Sequence, residues 1–274
     1  MIVSPLELAG VFIFGLMVGS FLNVCIWRLP AGEQIVKGRS HCRKCGKPIA
    51  WYDNVPLLSW VLLGGRCRRC KARISWTYPF VELAAGLLFA GILARFGWTA
   101  VAAVYAVLAA ALLALSVIDL REMILPDEIT LPGIAAGLIA SFLEPKLHGA
   151  SGRWQGLLSG VIGALVGAGV IYLIGAAGTK LFRRKLKAIG EEEAMGFGDV
   201  KLMAMVGAFI GVWKGLLVTL VLAPLSGAVI GLALKMKTGK EIIPFGPFLA
   251  AAALAAVFWG DAMIAWYRGL LTGA

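Results

Sequence analysis

Long apolar runs broken by short polar stretches set the pattern of this chain. They fall at about residues 8–27, 79–94, 98–118, 129–143, 157–178, 200–213, 215–234 and 246–266, to be judged against the roughly 20 residues a helix needs to cross hydrocarbon. The pattern predicts an all-α polytopic membrane protein with about eight transmembrane helices. Three runs (79–94, 129–143 and 200–213) are short, so their boundaries can shift or a pair of them can be re-entrant. The only ionisable side chain before the first run at Leu8 is Glu7. With no basic segment and no small-residue cleavage site there, the first helix is expected to be retained rather than removed as a signal peptide.

The polar stretches divide the chain further. A first helix over 1–27 is followed by the largest soluble piece, 28–78, and then by a membrane core over 79–274. Composition agrees with this class: 60% of the 274 residues are apolar and 15% charged, with a mean hydropathy of +0.87. Charge then orients it. If the N-terminus lies outside, the segments 28–78, 119–128, 179–201 and 235–245 face the cytoplasm and hold 21 of the 26 Lys and Arg residues, leaving Arg95, Lys146, Arg153, Lys214 and Arg268 elsewhere. That bias favours the assignment. It also accounts for the net charge of +11 without nucleic acid, because a basic cytoplasmic face attracts anionic lipid headgroups.

Segment 28–78 carries Cys42-Arg43-Lys44-Cys45 and Cys67-Arg68-Arg69-Cys70. Each C-x-x-C can form a knuckle presenting two sulfurs, and two knuckles close a tetrahedron, the pattern of a structural zinc site. Two disulfides are the competing reading, disfavoured in a reducing cytosol. Cys25, in the first span, reads as a small buried apolar residue, and His41 as a neighbour of the metal. Between the knuckles, Ile49 to Trp60 is rich in aromatic and apolar residues. It is expected to pack round the zinc as a miniature core, or to lie at the membrane interface.

Carboxylates at or within the bilayer are costly and so point to function. Glu82 lies early in the second span, Asp119 ends the third, Asp127 and Glu128 open the fourth, Asp199 opens the sixth and Asp261 sits in the eighth. The orientation places Asp119, Asp127 and Asp199 at the cytoplasmic edge, and Asp261 towards the opposite one. Glu82 fits either a hydrogen bond within the bundle or a cavity wall. Asp199 belongs to Gly196-Phe197-Gly198-Asp199, whose glycines allow a sharp turn and close approach of another backbone. Equally, Asp199 can simply cap the helix that follows; G-x-G-D alone does not separate the two. Two aspartates at one edge meet the requirement for aspartyl peptide hydrolysis: the ionised carboxylate takes a proton from water, while the protonated one polarises the scissile carbonyl. The run opening at Asp199 reads as one helix reaching Trp213, and Ser159, Gly163 and Gly167 in the fifth span as a close-packing stripe. His148 falls in an outer loop.

Taken together, Gly19-Ser20-Phe21-Leu22-Asn23-Val24, Arg28-Leu29-Pro30, the two C-x-x-C pairs, Asp53 to Trp60, Tyr78-Pro79-Phe80-Val81-Glu82, Ile118-Asp119-Leu120, Ile124-Leu125-Pro126-Asp127, Gly196 to Leu202 and Ile243-Pro244-Phe245-Gly246-Pro247 resemble the type IV prepilin peptidase family over nearly the whole chain. The resemblance implies a G-x-G-D membrane aspartyl protease whose catalytic pair is Asp119 and Asp199, with Asp127 the weaker claimant. It implies cleavage of prepilin and pseudopilin leaders at the cytoplasmic face of the bacterial inner membrane, then methylation of the new amine with S-adenosylmethionine. That cofactor rests on the resemblance, since no soluble Gly-rich nucleotide loop is present. Gly196, Gly198, Asp127, Lys201 and Glu82 are candidate substrate contacts. The segment between Asp119 and Asp199 is longer than the family suggests, with a basic stretch at 179–190 and Glu191-Glu192-Glu193 after it. The alternatives are a peptidase without methyl transfer, or an ion-coupled transporter using the same carboxylates.

Overall fold

The computed structural model describes residues 3–36, 40–188, 190, 192–238 and 243–272. Lys37, Arg39, Glu191 and Lys240, which entered the charge and motif readings above, lie outside them, as do the side chains of Lys185, Lys214 and Lys235. Among the described residues the structure is helical, with no strand and two isolated antiparallel bridges, His41 to Pro48 and Arg66 to Arg73. The helices are α1 (Pro5–Arg28), α2 (Leu58–Leu62), α3 (Thr77–Phe96), α4 (Ala100–Glu122), α5 (Asp127–Leu143), α6 (Arg153–Ala188), α7 (Phe197–Ile210), α8 (Leu217–Thr238) and α9 (Gly246–Thr272). A helix falls on every apolar run. Five are long and apolar enough to cross a membrane: Pro5–Arg28, Thr77–Phe96, Ala100–Glu122, Arg153–Arg184 and Gly246–Leu271. The apolar part of α8, Leu217–Ala233, is shorter, and α5 and α7 have 17 and 14 residues.

α7 also ends before Trp213. Gly211 turns left-handed at φ 66° and opens a π-helical turn over Gly211–Leu216. A side chain there would meet His148 Nδ1 at 2.8 Å. Helix α6 is interrupted at Phe182, whose φ of −105° and ψ of 16° leave the helical region.

The chain forms two compact units, residues 1–118 and 119–274. In the first, α1 and α3 cross closely because small residues face each other. A Cβ on Gly15 would lie 2.8 Å from Gly86 Cα, and one on Gly19 would lie 2.6 Å from Glu82 Cα. Asn23 Nδ2 ties the end of this crossing by donating to Tyr78 O at 3.0 Å. Ser4 and Glu7 start α1 with a reciprocal capping box, followed by Pro5 at the first helical position, where its missing N–H is harmless. Cys25 is buried in the core, as expected.

In the second unit α6 lies against α7 and α5 along a glycine stripe. Any side chain at Gly163 would strike Gly207 O, one at Gly167 would strike Met203 O, and one at Gly156 would strike Ser141 O. The stripe is Gly156, Gly160, Gly163 and Gly167. Ser159 is off it: it is half-buried and donates back to Gln155 O at 2.9 Å.

Candidate active site

Asp119 ends the buried face of α4, after Leu108, Leu112, Leu115 and Ile118; that spacing returns to one side of a helix every turn. The carboxylate is only 5% exposed. Its Oδ2 accepts the backbone N–H of Gly246 at 2.9 Å, the first residue of α9, where helical N–H groups have no partner within the helix. Gly246 makes this approach possible: a Cβ there would lie 2.6 Å from Asp119 Oδ2 and 3.4 Å from Leu125 Cδ2.

Asp199 sits in the first turn of α7, 8% exposed. Neither glycine before it makes a left-handed turn. Gly196 is the extended N-cap, at φ −68° and ψ 144°, and Gly198 is already helical. What Gly198 permits is contact: a Cβ there would lie 2.9 Å from Leu125 Cβ. Leu125 thus abuts Gly198 on one side and reaches Gly246 beside Asp119 on the other. The two carboxylates act on each other electrostatically. Two groups of like charge that interact in this way favour a pair that shares one proton.

Asp127 stands apart from this pair. Both its oxygens accept from Lys201 Nζ, at 2.6 and 2.8 Å, and the side chain is half exposed. This ion pair clamps the first residue of α5 to the first turn of α7, two residues from Asp199. Lys201 also lies 5.2 Å from the centroid of the Phe197 ring. Asp261 is exposed on α9.

In the first unit the four thiols converge. Cys42, Cys45, Cys67 and Cys70 place their sulfurs within 4.8 Å of one another, and Cys42 Sγ lies 3.7 Å from Cys70 Sγ. The edge of a tetrahedron with metal–sulfur bonds of about 2.3 Å is about 3.8 Å, so these residues fit one tetrahedrally held metal. All four are free thiols. The two knuckles repeat one backbone design. Cys42 N–H bonds Lys47 O and Gly46 N–H bonds Cys42 O; Cys67 N–H bonds Ala72 O and Lys71 N–H bonds Cys67 O. Gly46 at φ 66° is matched by Lys71 at φ 58°. The Cys45 backbone N–H holds the Cys42 thiol below its ordinary range. Asp53 grips Arg68 through Nε and Nη2 at 2.6 to 3.0 Å, which holds its carboxyl below the usual range.

The segment from Ile49 to Trp60 does not close into a miniature core. Trp51, Tyr52 and Leu58 are exposed, as are Val61 and Leu62 just beyond, while Ser59 is buried. Glu82 is 7% exposed and accepts the backbone N–H of Leu57 at 2.8 Å. Leu57 has φ 57°, a costly left-handed conformation for a branched side chain, so the Glu82 carboxylate anchors a strained turn entering α2.

Sequence reasoning missed Gly246 and Leu125 as partners of the aspartates, although both lie in quoted motifs. Nor did it find Asn23, 2% exposed, or the buried His148–Ser141 pair at 2.7 Å. A lone outer-loop histidine gave no signal of burial.

Comparison with known proteins bears on this arrangement. The model for the bacterial peptidase A24 N-terminal domain matches residues 13–96, and that for the type IV leader peptidase family matches residues 106–232. The chain is 38% identical over 287 residues to a prepilin leader peptidase/N-methyltransferase of Aeromonas salmonicida (strain A449), covering 94% of this chain and 92% of that protein. The chain belongs to the type IV leader peptidase family. Proteins of the same name from Myxococcus xanthus (strain DK1622) and Burkholderia pseudomallei (strain 1026b) are 42% and 37% identical. The chain spans 66% of the length of the first and 87% of the second, with 86% and 94% of its own residues matched. No solved structure matches it. The matched segments place Asp119 and Asp199 in the peptidase part and all four cysteines in the N-terminal part.

Proposed function

We propose that this multi-pass membrane enzyme cleaves the leader of type IV prepilins and pseudopilins by an aspartyl mechanism and then methylates the new N-terminal amine. One observation carries the reading: two buried carboxylates, Asp119 and Asp199, interact electrostatically in a chain whose relatives bear the name prepilin leader peptidase/N-methyltransferase. The ionised member of the pair takes a proton from water, the protonated member donates to the scissile carbonyl, and the tetrahedral adduct collapses as the amine leaves with a proton. Gly246 N–H holds one Asp119 oxygen, leaving the other for this work. Gly196 leaves the entry to α7 beside Asp199 without a side chain, where an extended peptide lies, while Gly198 seats Leu125; Lys201 and Asp127 fix the helix starts.

Cys42, Cys45, Cys67 and Cys70 hold a structural zinc, with no open position for chemistry. S-adenosylmethionine, when bound, would supply an electrophilic methyl group for the new amine. The domains are the first helix (1–27), the zinc module (28–78) and the peptidase core (79–274), with eight spans in the bacterial inner membrane. The distribution of Lys and Arg supports an outer N-terminus and a cytoplasmic site. A substrate then keeps its apolar helix in lipid and its leader in the cytosol. The exposed Trp51, Tyr52, Leu58 and Trp76 suit the membrane interface.

The test uses purified enzyme in lipid nanodiscs with a prepilin. Asp119→Asn and Asp199→Asn are each expected to lower the cleavage rate by about 10²- to 10⁴-fold, the usual contribution of a general acid or base, with zinc content unchanged. Full cleavage by either variant, or an equal loss in Asp127→Asn, overturns the assignment.

A further inference from the structure

The link between α4 and α5, Met123 to Pro126, reverses the chain through a left-handed methionine: Met123 has φ 56°. A side chain in that conformation costs roughly 1–2 kcal/mol, and such strain gathers at functional sites. Met123 N–H returns to Asp119 O at 3.0 Å, so the reversal starts on the backbone of the first aspartate. Pro126 then leaves extended, at φ −60° and ψ 135°, and its carbonyl accepts from Thr130 Oγ1 at 3.2 Å, which fixes the far end of the link. Met123 and Ile124 are exposed, whereas Leu125 is half-buried. The turn aims this one side chain at the carboxylates. A Cβ on Gly198, the residue before Asp199, would meet Leu125 Cβ, Cδ1 and Cγ at 2.9 to 3.5 Å; a Cβ on Gly246 would meet both Asp119 Oδ2, at 2.6 Å, and Leu125 Cδ2, at 3.4 Å. One leucine thus fills the room that two missing side chains leave beside the two aspartates.

We infer that Leu125 is a specificity-determining residue of the peptidase: it is the wall against which a substrate side chain next to the scissile bond lies, and it admits only a small one. The inference rests on the aspartyl reading above and names the contact that selects the cleavage point. A carbonyl held between Asp119 and Asp199 brings the side chain of one neighbouring residue over the half-buried leucine. Leu125 has no room to withdraw, because Gly198 and Gly246 already touch it on the sides of α7 and α9. The strained turn at Met123 and the anchored Pro126 hold its backbone as well. An apolar wall of this kind discriminates about 10- to 200-fold for one methylene more or less.

The experiment is a competition. Wild-type enzyme and Leu125→Ala, each as the full chain in nanodiscs, receive equal mixtures of prepilins carrying Gly, Ala or Val at one of the two positions that flank the scissile bond. The ratio of products gives the ratio of kcat/KM values, in which a general loss of activity or of folded enzyme cancels. The wild type is expected to prefer Gly at one of the two positions, and Leu125→Ala to narrow that preference at least tenfold, the share of one methylene or more. Leu125→Val removes a single methylene; it is expected to narrow the preference less, and it decides the matter where Leu125→Ala is too slow to read. A wild type with no size preference at either position, or variants with the wild-type preference, overturns the inference and leaves the aspartyl reading standing. Full cleavage by Asp119→Asn or Asp199→Asn overturns that reading, and this inference with it.

Discussion

At the scale of the residue, two positions show how little space the candidate site leaves. Gly246 presents its N–H to Asp119, and a single added methyl group would meet Asp119 Oδ2 at 2.6 Å. The methyl cannot be absorbed by a flexible side-chain tip, because the carboxylate itself must move. Gly246→Ala is therefore expected to reduce cleavage at least tenfold in the prepilin assay while zinc content stays at the wild-type level. Lys71 poses the opposite case. It occupies in the second knuckle the left-handed place that Gly46 occupies in the first, and a non-glycine residue there costs roughly 1–2 kcal/mol. Lys71→Gly should stabilise the knuckle, seen as slower zinc release to a chelator.

At the scale of the element, α6 and α7 touch backbone to backbone. Glycines at 163 and 207 each leave no room for a Cβ on the other, so Gly207→Leu is an overpacking change of about 3 kcal/mol or more. A lower thermal midpoint and a fall in cleavage are expected together, since α7 carries Asp199. The sequence pointed to this stripe through small residues four apart, but put Ser159 on it in place of Gly156 and Gly160; spacing alone does not say which face a neighbouring helix takes. It likewise ran α7 on to Trp213, because apolarity continues through the left-handed Gly211. His148, between α5 and α6, adds a pH dependence. Burial holds its pKa below the ordinary value, so the unfolded chain binds the proton first. Its stabilising share is complete above about pH 6.5 and declines as pH falls below that. The thermal midpoint of the wild type should drop from pH 7 to pH 5, and that of His148→Gln should drop less.

At the scale of the molecule, the sequence made the class, both aspartates and the thiolate set legible, since each leaves a local trace: apolar run length, a motif, a C-x-x-C spacing. The Leu57–Glu82 bond left none, because its ends lie 25 residues apart and meet only where the strained turn folds back on α3. The division of the chain yields the last prediction. The thiolates lie within residues 1–118, whereas Asp119, Asp199 and Gly246 lie within 119–274. A structural metal supplies folding free energy to the segment that binds it. Stripping the metal with a chelator, or changing Cys67→Ser, should thus loosen the knuckles and leave the carboxylate pair in place. Measured on one preparation, proteolysis within residues 40–73 is expected to quicken at least tenfold, while leader cleavage falls by less than about threefold. A loss of leader cleavage just as large would instead mean that the thiolate module supports the peptidase site.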